Sequence, residues 1–466
     1  MLGHLNFQPL GLLSLAAVCK KAGHAVRLAD STKPHHVERI VSEYKPDVIG
    51  FPVITGQHLH VLKLCRQLKL RHSFNSVFGG PHATFFPDLA LRPEVDAVCR
   101  GEGETALVEY LDRLQHNREP EKTPNFVTKT AGGLLENPVA PLIENLDQLP
   151  FAAWEILDEH PIAARFPVRP FMATRGCPYR CSFCYNPKIR EIYRDRGHFL
   201  RRYTPERFVA EIADCRRGRK ISFVYIFDDT FATDSEWLFS FCRTYQREIK
   251  LPFFVNFTAN LVTADKITML KDAGLAYVGV GLESGNEDIR RRMLCKEVTD
   301  EQLVNAAAIL HRAGMAFEFY NILAIPGTSL DHDLKTLEMN VQLKPTVPDV
   351  MLYQPYPGTP LGDEAVRLGL FSGNPDDLPP TFKDRTVLAI PHATKVRRLF
   401  LLFRLLIAFG VSRKMALFLI ALPLSPLYKL LSRIYEGAVK SRRIYKIRLS
   451  WKDYSTLVWN YLTSST

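Results

Sequence analysis

Apolar residues recur at helical spacing over residues 9–21, and the run stops at Ala22-Gly23, a helix C-cap signal. A strand pattern over 25–29 ends at Asp30. Residues 35–44 are amphipathic, 47–53 read as a buried strand closing on Thr55-Gly56, and 59–70 as a helix. A short strand over 76–78 enters Gly79-Gly80-Pro81-His82. Another over 95–98 enters Arg100-Gly101-Glu102-Gly103-Glu104, and a helix then runs to about Leu114. This alternation predicts a doubly wound, Rossmann-like (flavodoxin-like) parallel α/β domain over 1–118. Its glycine-rich loops fall at the carboxyl ends of strands, where such sheets bind ligands. In the order 2-1-3-4-5 the first strand is interior, yet this chain reaches its first helix almost at once. The first strand therefore reads as missing, which would expose two strand edges. An upstream start codon is the expected reason; the alternatives are a stunted strand from Leu2 to Phe7 or a degenerate domain.

Residues 119–167 read as a connector. A hairpin turns at Gly132-Gly133, and prolines 138, 141, 150, 161 and 167 follow. From 168 the alternation resumes, with strands at 168–174, 221–227, 253–258, 276–282, 316–325 and 349–355. Helices lie between them at 205–217, 235–248, 264–273, 287–294 with 300–313, and 330–343. This predicts a partial (β/α)6 TIM-type barrel over 168–362, with its chemistry at the carboxyl ends of the strands. Those tips read Arg175-Gly176-Cys177, Asp228-Asp229-Thr230, Thr258-Ala259-Asn260, Glu283-Ser284-Gly285, Ile325-Pro326-Gly327-Thr328 and Tyr356-Pro357-Gly358-Thr359. A mainly helical extension, 363–466, completes the chain.

The first tip carries three thiols, Cys177, Cys181 and Cys184, at C-x3-C-x2-C spacing. Thiolates are soft donors that favour iron–sulfur clusters or zinc. No fourth cysteine lies close in sequence, so a four-iron cluster held here keeps one iron open to an external ligand.

With Phe183 before the third cysteine, this loop resembles the signature of radical S-adenosylmethionine (SAM) enzymes. The stretches Phe227-Asp228-Asp229, Gly281-Leu282-Glu283-Ser284-Gly285 and Pro355-Tyr356-Pro357-Gly358-Thr359 are similar to that family's own. The resemblance implies a [4Fe-4S] cluster on Cys177, Cys181 and Cys184, with SAM chelating the open iron. It implies SAM contacts from Phe183, Asp228 and Asp229 (ammonium), Glu283 and Ser284 (ribose or methionine), and Gly327. Ser329 stands where relatives often carry an acid. Pro9-Leu10-Gly11, Gly79-Gly80-Pro81-His82 and the 100–104 loop resemble the cobalamin-binding domain that precedes many such barrels. That implies cobalamin contacts from Leu10, Gly11, Thr55, Gly79, Gly80 and Glu102. The histidine-ligand pattern D-x-H-x-x-G is absent, so no histidine is expected below the cobalt. The whole is similar to class B radical SAM methyltransferases. In these a 5'-deoxyadenosyl radical takes a hydrogen from an unactivated carbon and methylcobalamin supplies the methyl group. Oxidative cyclisation without methyl transfer, as in the anaerobic porphyrin ring cyclase, is the alternative, as is a cluster-bearing SAM-binding protein that has lost cobalamin. No acid–base catalytic residue is singled out. A flavodoxin or ferredoxin is the implied electron donor.

Composition changes this picture at one end only. The cysteines number nine, an odd count, and the six outside the loop are scattered; no signal peptide is evident, and together these point to a reducing cytoplasm. The net charge of +11 suggests nucleic acid until it is located: Lys395 to Lys452 holds 14 Lys/Arg against the single acid Glu436, and no RNA-binding module follows the barrel. Apolar runs over 399–424 carry this basic punctuation but fall short of the roughly 20 residues of a spanning helix. Two readings stand: helices packed on the open side of the barrel, or a segment lying on the inner membrane face, which would suit a lipid-like substrate. The alternating run 442–448 reads as an exposed strand or partner site.

Overall fold

In the computed structural model, which describes residues 2–3, 9–160, 163–164, 166–381 and 385–439, the chain opens with a two-residue strand, β1 (Leu2–Gly3). Helix α1 (Leu10–Lys21) follows and ends where Gly23 takes a φ of +92°. β1 pairs in parallel with β2 (Ala29–Asp30) and packs beside β3 (Val48–Pro52). The interior position expected to be empty thus holds a stunted strand. Helices α2 (Pro34–Tyr44) and α3 (His58–Lys69) flank β3. Next come β4 (Asn75–Gly79), the short α4 (Pro81–Phe85), β5 (Ala97–Cys99) and α5 (Glu104–Gln115). Strands β3, β4 and β5 are parallel neighbours. Phe51, Phe78 and Cys65 pack on one face of the sheet, and Val77, Tyr110 and Phe126 on the other. A parallel sheet buried on both faces needs such near-continuous apolar strands. The connector hairpin, β6 (Phe126–Thr130) and β7 (Gly133–Glu136), does not stand apart: it extends this sheet antiparallel to β5.

The second sheet runs β8 (Val168–Phe171), β11 (Phe223–Ile226), β12 (Phe253–Thr258), β13 (Leu275–Glu283), β14 (Ala316–Leu323) and β15 (Val347–Leu352), all parallel and in chain order. This is the expected partial barrel. A small antiparallel pair, β9 (Thr174–Arg175) and β10 (Arg201–Arg202), sits above β8, and α6 (Asn186–Ile192) lies between its strands in the chain. Helices α7 (Pro205–Arg216), α8 (Ser235–Glu248), α9 (Ala264–Ala273), α10 (Asp300–Arg312), α11 (Leu330–Leu343) and α12 (Pro360–Arg367) complete the units. Their starts are capped as the sequence dictates: Thr204, Asp234, Thr263 and Thr359 each accept a backbone N–H, and Thr299 forms a capping box with Gln302. Residues 289–293 form a π-helical turn where an ordinary helix was expected. Leu13 and Ala16 of α1 share one core with Trp154 of the connector and Phe208 of α7, so the two sheets have a common apolar seam.

Beyond the barrel the chain returns to the first sheet. Asp376 accepts from the buried His58 ring (2.8 Å) and from Arg92 (2.9 Å), which straps residues 374–380 across the β3–α3 loop. Then α13 (Ala393–Ala408), α14 (Arg413–Ala421) and α15 (Ser425–Val439) follow. α13 packs on α11 and β15, and Arg404 pairs with Asp349 there. The basic run 442–448 lies outside the described residues.

Candidate functional site: a thiolate loop facing glycine-rich loops

The predicted strand 168–174 breaks at Met172 because a carboxylate from the next strand claims its end. Asp228 Oδ1 accepts from Ala173 N (2.7 Å) and Thr174 N (3.2 Å), and Oδ2 accepts from the Thr174 hydroxyl (2.8 Å). Asp228 is fully buried, and burial pushes its carboxyl up to about 7 against these hydrogen bonds. Its oxygens are therefore engaged in shaping the loop, not free for an incoming ammonium as expected. Asp229 beside it is exposed at the surface of the cleft; neighbouring atoms partly strip it of water and raise its carboxyl above the usual range, against a hydrogen bond that Asn186 donates at 3.0 Å.

The turn into the thiol loop needs Gly176. It adopts a φ of +87°, and a Cβ there would lie 2.3 Å from the Phe199 carbonyl oxygen. Gly176→Ala is expected to cost about 1–3 kcal/mol of backbone strain and to lower the thermal midpoint, read by calorimetry. The loop is pinned from behind: Ser182 N donates to Leu294 O (3.0 Å), Ser182 Oγ to Met293 O (2.5 Å), Leu361 N to Ser182 O (3.0 Å) and Arg190 to Cys177 O (2.7 Å). Asn186 N–H points at Cys184 Sγ (3.4 Å), and the Thr230 hydroxyl lies 3.7 Å from Cys177 Sγ. Burial raises all three thiols, Cys181 to about 12, with Cys184 and Cys177 adding to its shift. Iron must therefore displace protons as it binds. Among the described residues no three His, Cys, Asp or Glu side chains converge on a single-ion site. A cubane does not ask for that, since each thiolate meets a different iron. Three clustered, pinned thiols with N–H and hydroxyl donors around the sulfurs fit such a cluster.

Glu283 ends β13 at a φ of +63° and accepts from Lys296 Nζ at 2.8 Å, both side chains more than nine-tenths buried. Burial opposes the ammonium, but Glu283 and the Cys181 and Cys177 thiols beside it hold Lys296 above its usual value. The pair fits only because residue 281 is glycine: a Cβ there would lie 2.3 Å from Lys296 Nζ. Sequence reasoning missed Lys296; a lone basic residue just after the π-turn was its only signal. Ser284 is buried, its hydroxyl accepting from Asn286 N (3.3 Å) and its carbonyl from Arg290 (2.7 Å). Gly327 serves a turn with φ +75° and has only ordinary neighbours. Phe183 packs, partly buried, against the apolar cluster that includes Ile289, Leu294 and Leu361.

On the opposite side, Leu10 is half-buried and Gly11 opens to space with nothing near its Cβ direction. The Thr55 hydroxyl meets His82 Nδ1 at 3.2 Å. The His82 ring stacks on His58 (3.8 Å) and against Phe86 (4.9 Å), and burial, with His58 next, pushes it down to about 3, so it is neutral. Gly79 is loosely packed, whereas Gly80 (φ +94°) has its Cβ direction against Val53 O at 3.0 Å, an internal need. Glu102 departs furthest from expectation. Its carboxylate is held by Arg201 (2.8 and 3.0 Å) and Arg175 (3.0 Å), which bind it to the strands flanking the thiol loop. Burial opposes its charge, yet the two guanidinium groups hold its carboxyl below the usual range. Phe85 stacks on Tyr185, next to Cys184, with ring centroids 3.9 Å apart, and Tyr185 leans on Tyr356 at 5.3 Å. The glycine-rich loops and the thiol loop therefore border the same interface. Exposed apolar tips, Ile54 on one side and Met172 and Phe227 on the other, project from these strand ends.

Residues 4–111 match the B12 binding domain family, and residues 172–339 match the radical SAM superfamily. An uncharacterized methyltransferase of Pyrococcus horikoshii is 26% identical over 77% of this chain and 78% of its own length. The anaerobic magnesium-protoporphyrin IX monomethyl ester cyclase of Rubrivivax gelatinosus is 25% identical over 77% of this chain and 66% of its own. The fold matches the radical SAM methyltransferase TsrM of Kitasatospora setae, a structure with cobalamin and [4Fe-4S] cluster bound, with a TM-score of 0.64, 17% identity, and coverage of 77% of this chain and 72% of that one. A thiol loop built for a cluster, a β/α half-barrel behind it and a B12-type sheet in front place this chain in the family of cobalamin-dependent radical SAM enzymes, whose cofactors are a [4Fe-4S] cluster, SAM and cobalamin.

Proposed function

We propose that this enzyme methylates an unactivated carbon of an apolar, lipid-like small molecule. The observation that carries it is the Phe85–Tyr185 stack, which sets the B12-type loops against the cluster loop. Both cofactors then border one cleft, as transfer between them requires. When bound, the cluster and SAM supply a carbon-centred radical and cobalamin supplies the methyl group. The chain's residues bind and orient. In this reading 1–118 holds cobalamin, 119–167 connects, 168–362 is the radical SAM barrel and 363–466 is a basic, apolar C-terminal extension.

Cys177, Cys181 and Cys184 hold iron. Asp229 faces the SAM side, where a carboxylate suits an ammonium, and the charged Lys296, fixed by Glu283, suits the carboxylate of the same ligand. Phe183, Ser284 and Gly327 shape that pocket. Asp228 acts on SAM only through the loop it shapes. Leu10, Gly11, Thr55, Gly79 and Gly80 line the cobalamin side, while Glu102 acts as the tie between the two sides. Met172 and Phe227, exposed at strand tips, give the cleft an apolar wall, and this favours an apolar substrate over a charged one. The protein works in the cytoplasm with a flavodoxin- or ferredoxin-type donor, in peripheral contact with the inner membrane face.

Anaerobically reconstituted protein given SAM, cobalamin, reductant and a membrane-lipid extract is expected to release 5'-deoxyadenosine and S-adenosylhomocysteine together and to leave a lipid heavier by one methylene unit. 5'-Deoxyadenosine without S-adenosylhomocysteine overturns methyl transfer and leaves a cyclase-type oxidation, the reaction class of the Rubrivivax relative.

A further inference from the structure

We propose that the outer face of α14 and α15 is a docking surface for an anionic lipid bilayer, lying in the plane of the interface. It deepens the lipid-like reading above and takes its purpose from it, though it stands on separate residues. On α15, Leu427, Leu430, Leu431 and Ile434 are 46%, 56%, 40% and 61% exposed. Their i, i+3, i+4, i+7 spacing makes one apolar stripe. A surface helix normally turns such a stripe inward. Here the inward side is already taken by Tyr428 and Ser432, both buried, so the leucines point away from the protein. Phe418 and Met415 of α14 add 59% and 51% exposure. Large apolar side chains lined up and exposed along one helix face mark an interaction site.

The scaffold beneath is fixed. Arg413 pairs with Asp331 and Glu338 of α11, and Arg398 caps the end of α14 through Ile420 O (3.1 Å) and Ala421 O (3.0 Å). No helix among the described residues is long and apolar enough to cross a membrane, and Pro423 lies in the break between α14 and α15. The geometry is that of an element lying on a surface.

Charge selects the occupant. No acidic residue occurs from Arg385 to Tyr435, while Lys414 and Lys429 are exposed along the patch. A second copy docked face to face would set like charge against like, since α14 and α15 carry Arg413, Lys414, Lys429 and Arg433 against the single acid Glu436. The chain's own residues 440–466 carry six Lys/Arg against Asp453 and have the same sign. An anionic bilayer satisfies both the apolar stripe and the lysines.

The test is co-sedimentation of the full chain, without SAM or reductant, with phosphatidylcholine vesicles and with vesicles containing about 30 mol% phosphatidylglycerol. Recovery with the anionic vesicles is expected to exceed that with the neutral ones about tenfold, and to fall in about 0.5 M salt. The double variant Leu430→Asn/Ile434→Asn should lose vesicle binding while keeping its far-UV spectrum and melting midpoint. Lys414→Gln/Lys429→Gln should keep weak binding and lose the preference for phosphatidylglycerol. Equal recovery with and without vesicles overturns the proposal. So does a concentration-dependent dimer in analytical ultracentrifugation that Leu430→Asn/Ile434→Asn abolishes, which would assign the face to a second copy. Vesicle binding with no lipid methylated sinks the lipid substrate and leaves the surface standing. Lipid methylated in detergent by a protein that ignores vesicles does the reverse.

Discussion

Cys181→Ala protein is expected to retain its fold and to lose its chemistry. After anaerobic reconstitution its iron should fall well below the four per chain of an intact cubane. SAM cleavage to 5'-deoxyadenosine should drop by far more than the roughly 10–100-fold that losing an outer partner of a metal ligand costs. The loop itself does not depend on the thiol. Its pins are the Ser182, Leu361 and Arg190 hydrogen bonds, none of which involves the Cys181 side chain. Apo-protein stability should therefore stay within about 0.5 kcal/mol of the parent. Substitution by another thiol is not available: Cys215 and Cys242 are buried in α7 and α8. Cys295 is exposed on the return from the π-turn, and Cys295→Ala serves as the control that keeps full iron. Iron near four per chain in the Cys181→Ala protein, by colorimetric assay, would remove this thiol from the cluster.

The thiol loop was legible because its three cysteines lie within eight residues, and the barrel because each strand is a compact apolar run. β1 was not, since two residues carry no period. What pairs across long separations was invisible too. Glu102 and Arg175 are 73 residues apart in the chain, and nothing local distinguishes a glutamate that meets a cofactor from one that meets an arginine. Asp228 shows the same limit from the other side. Its place at a strand tip was readable, but the backbone N–H groups it receives come from a strand 54 and 55 residues earlier that breaks to supply them. The C-terminal helices defeated periodicity differently: α13 is buried on most sides and α15 carries apolar residues both inward and outward, so no single stripe marked a core face.

Arg175→Met is expected to separate the two halves of the reaction. Arg175 bridges Glu102 (3.0 Å) and Glu104 (2.6 Å), and it immediately precedes Gly176 and the thiol loop. Its loss does not leave Glu102 bare, because Arg201 still holds that carboxylate with two hydrogen bonds. Glu104 keeps only the Ser14 hydroxyl at 3.0 Å, in a site where its side chain is 8% exposed. Breaking a buried pair from one side costs about 3–5 kcal/mol, and the 21% exposure of Arg175 places this case at the lower end. The sign with pH follows from Glu102, whose carboxyl is held below its unfolded value by Arg201 and Arg175 against burial. The stabilisation is complete above the ordinary carboxylate value of about 4.3 and is lost as pH falls through the lower folded value. The gap between parent and variant in denaturant midpoints should be full at neutral pH and close in acid. In turnover, the three loop thiols and the Glu283–Lys296 pair are untouched, so 5'-deoxyadenosine should still form. S-adenosylhomocysteine should fall more than 5'-deoxyadenosine, because transfer depends on the B12-type loops being held against the thiol loop, and Arg175 shares that hold with the Arg201–Glu102 pair and the Phe85–Tyr185 stack. Equal loss of both products would mean that Arg175 serves the cluster loop alone, and that the Arg201–Glu102 pair, the aromatic stack and the shared core of α1 and Trp154 suffice to keep the two cofactor sides in register.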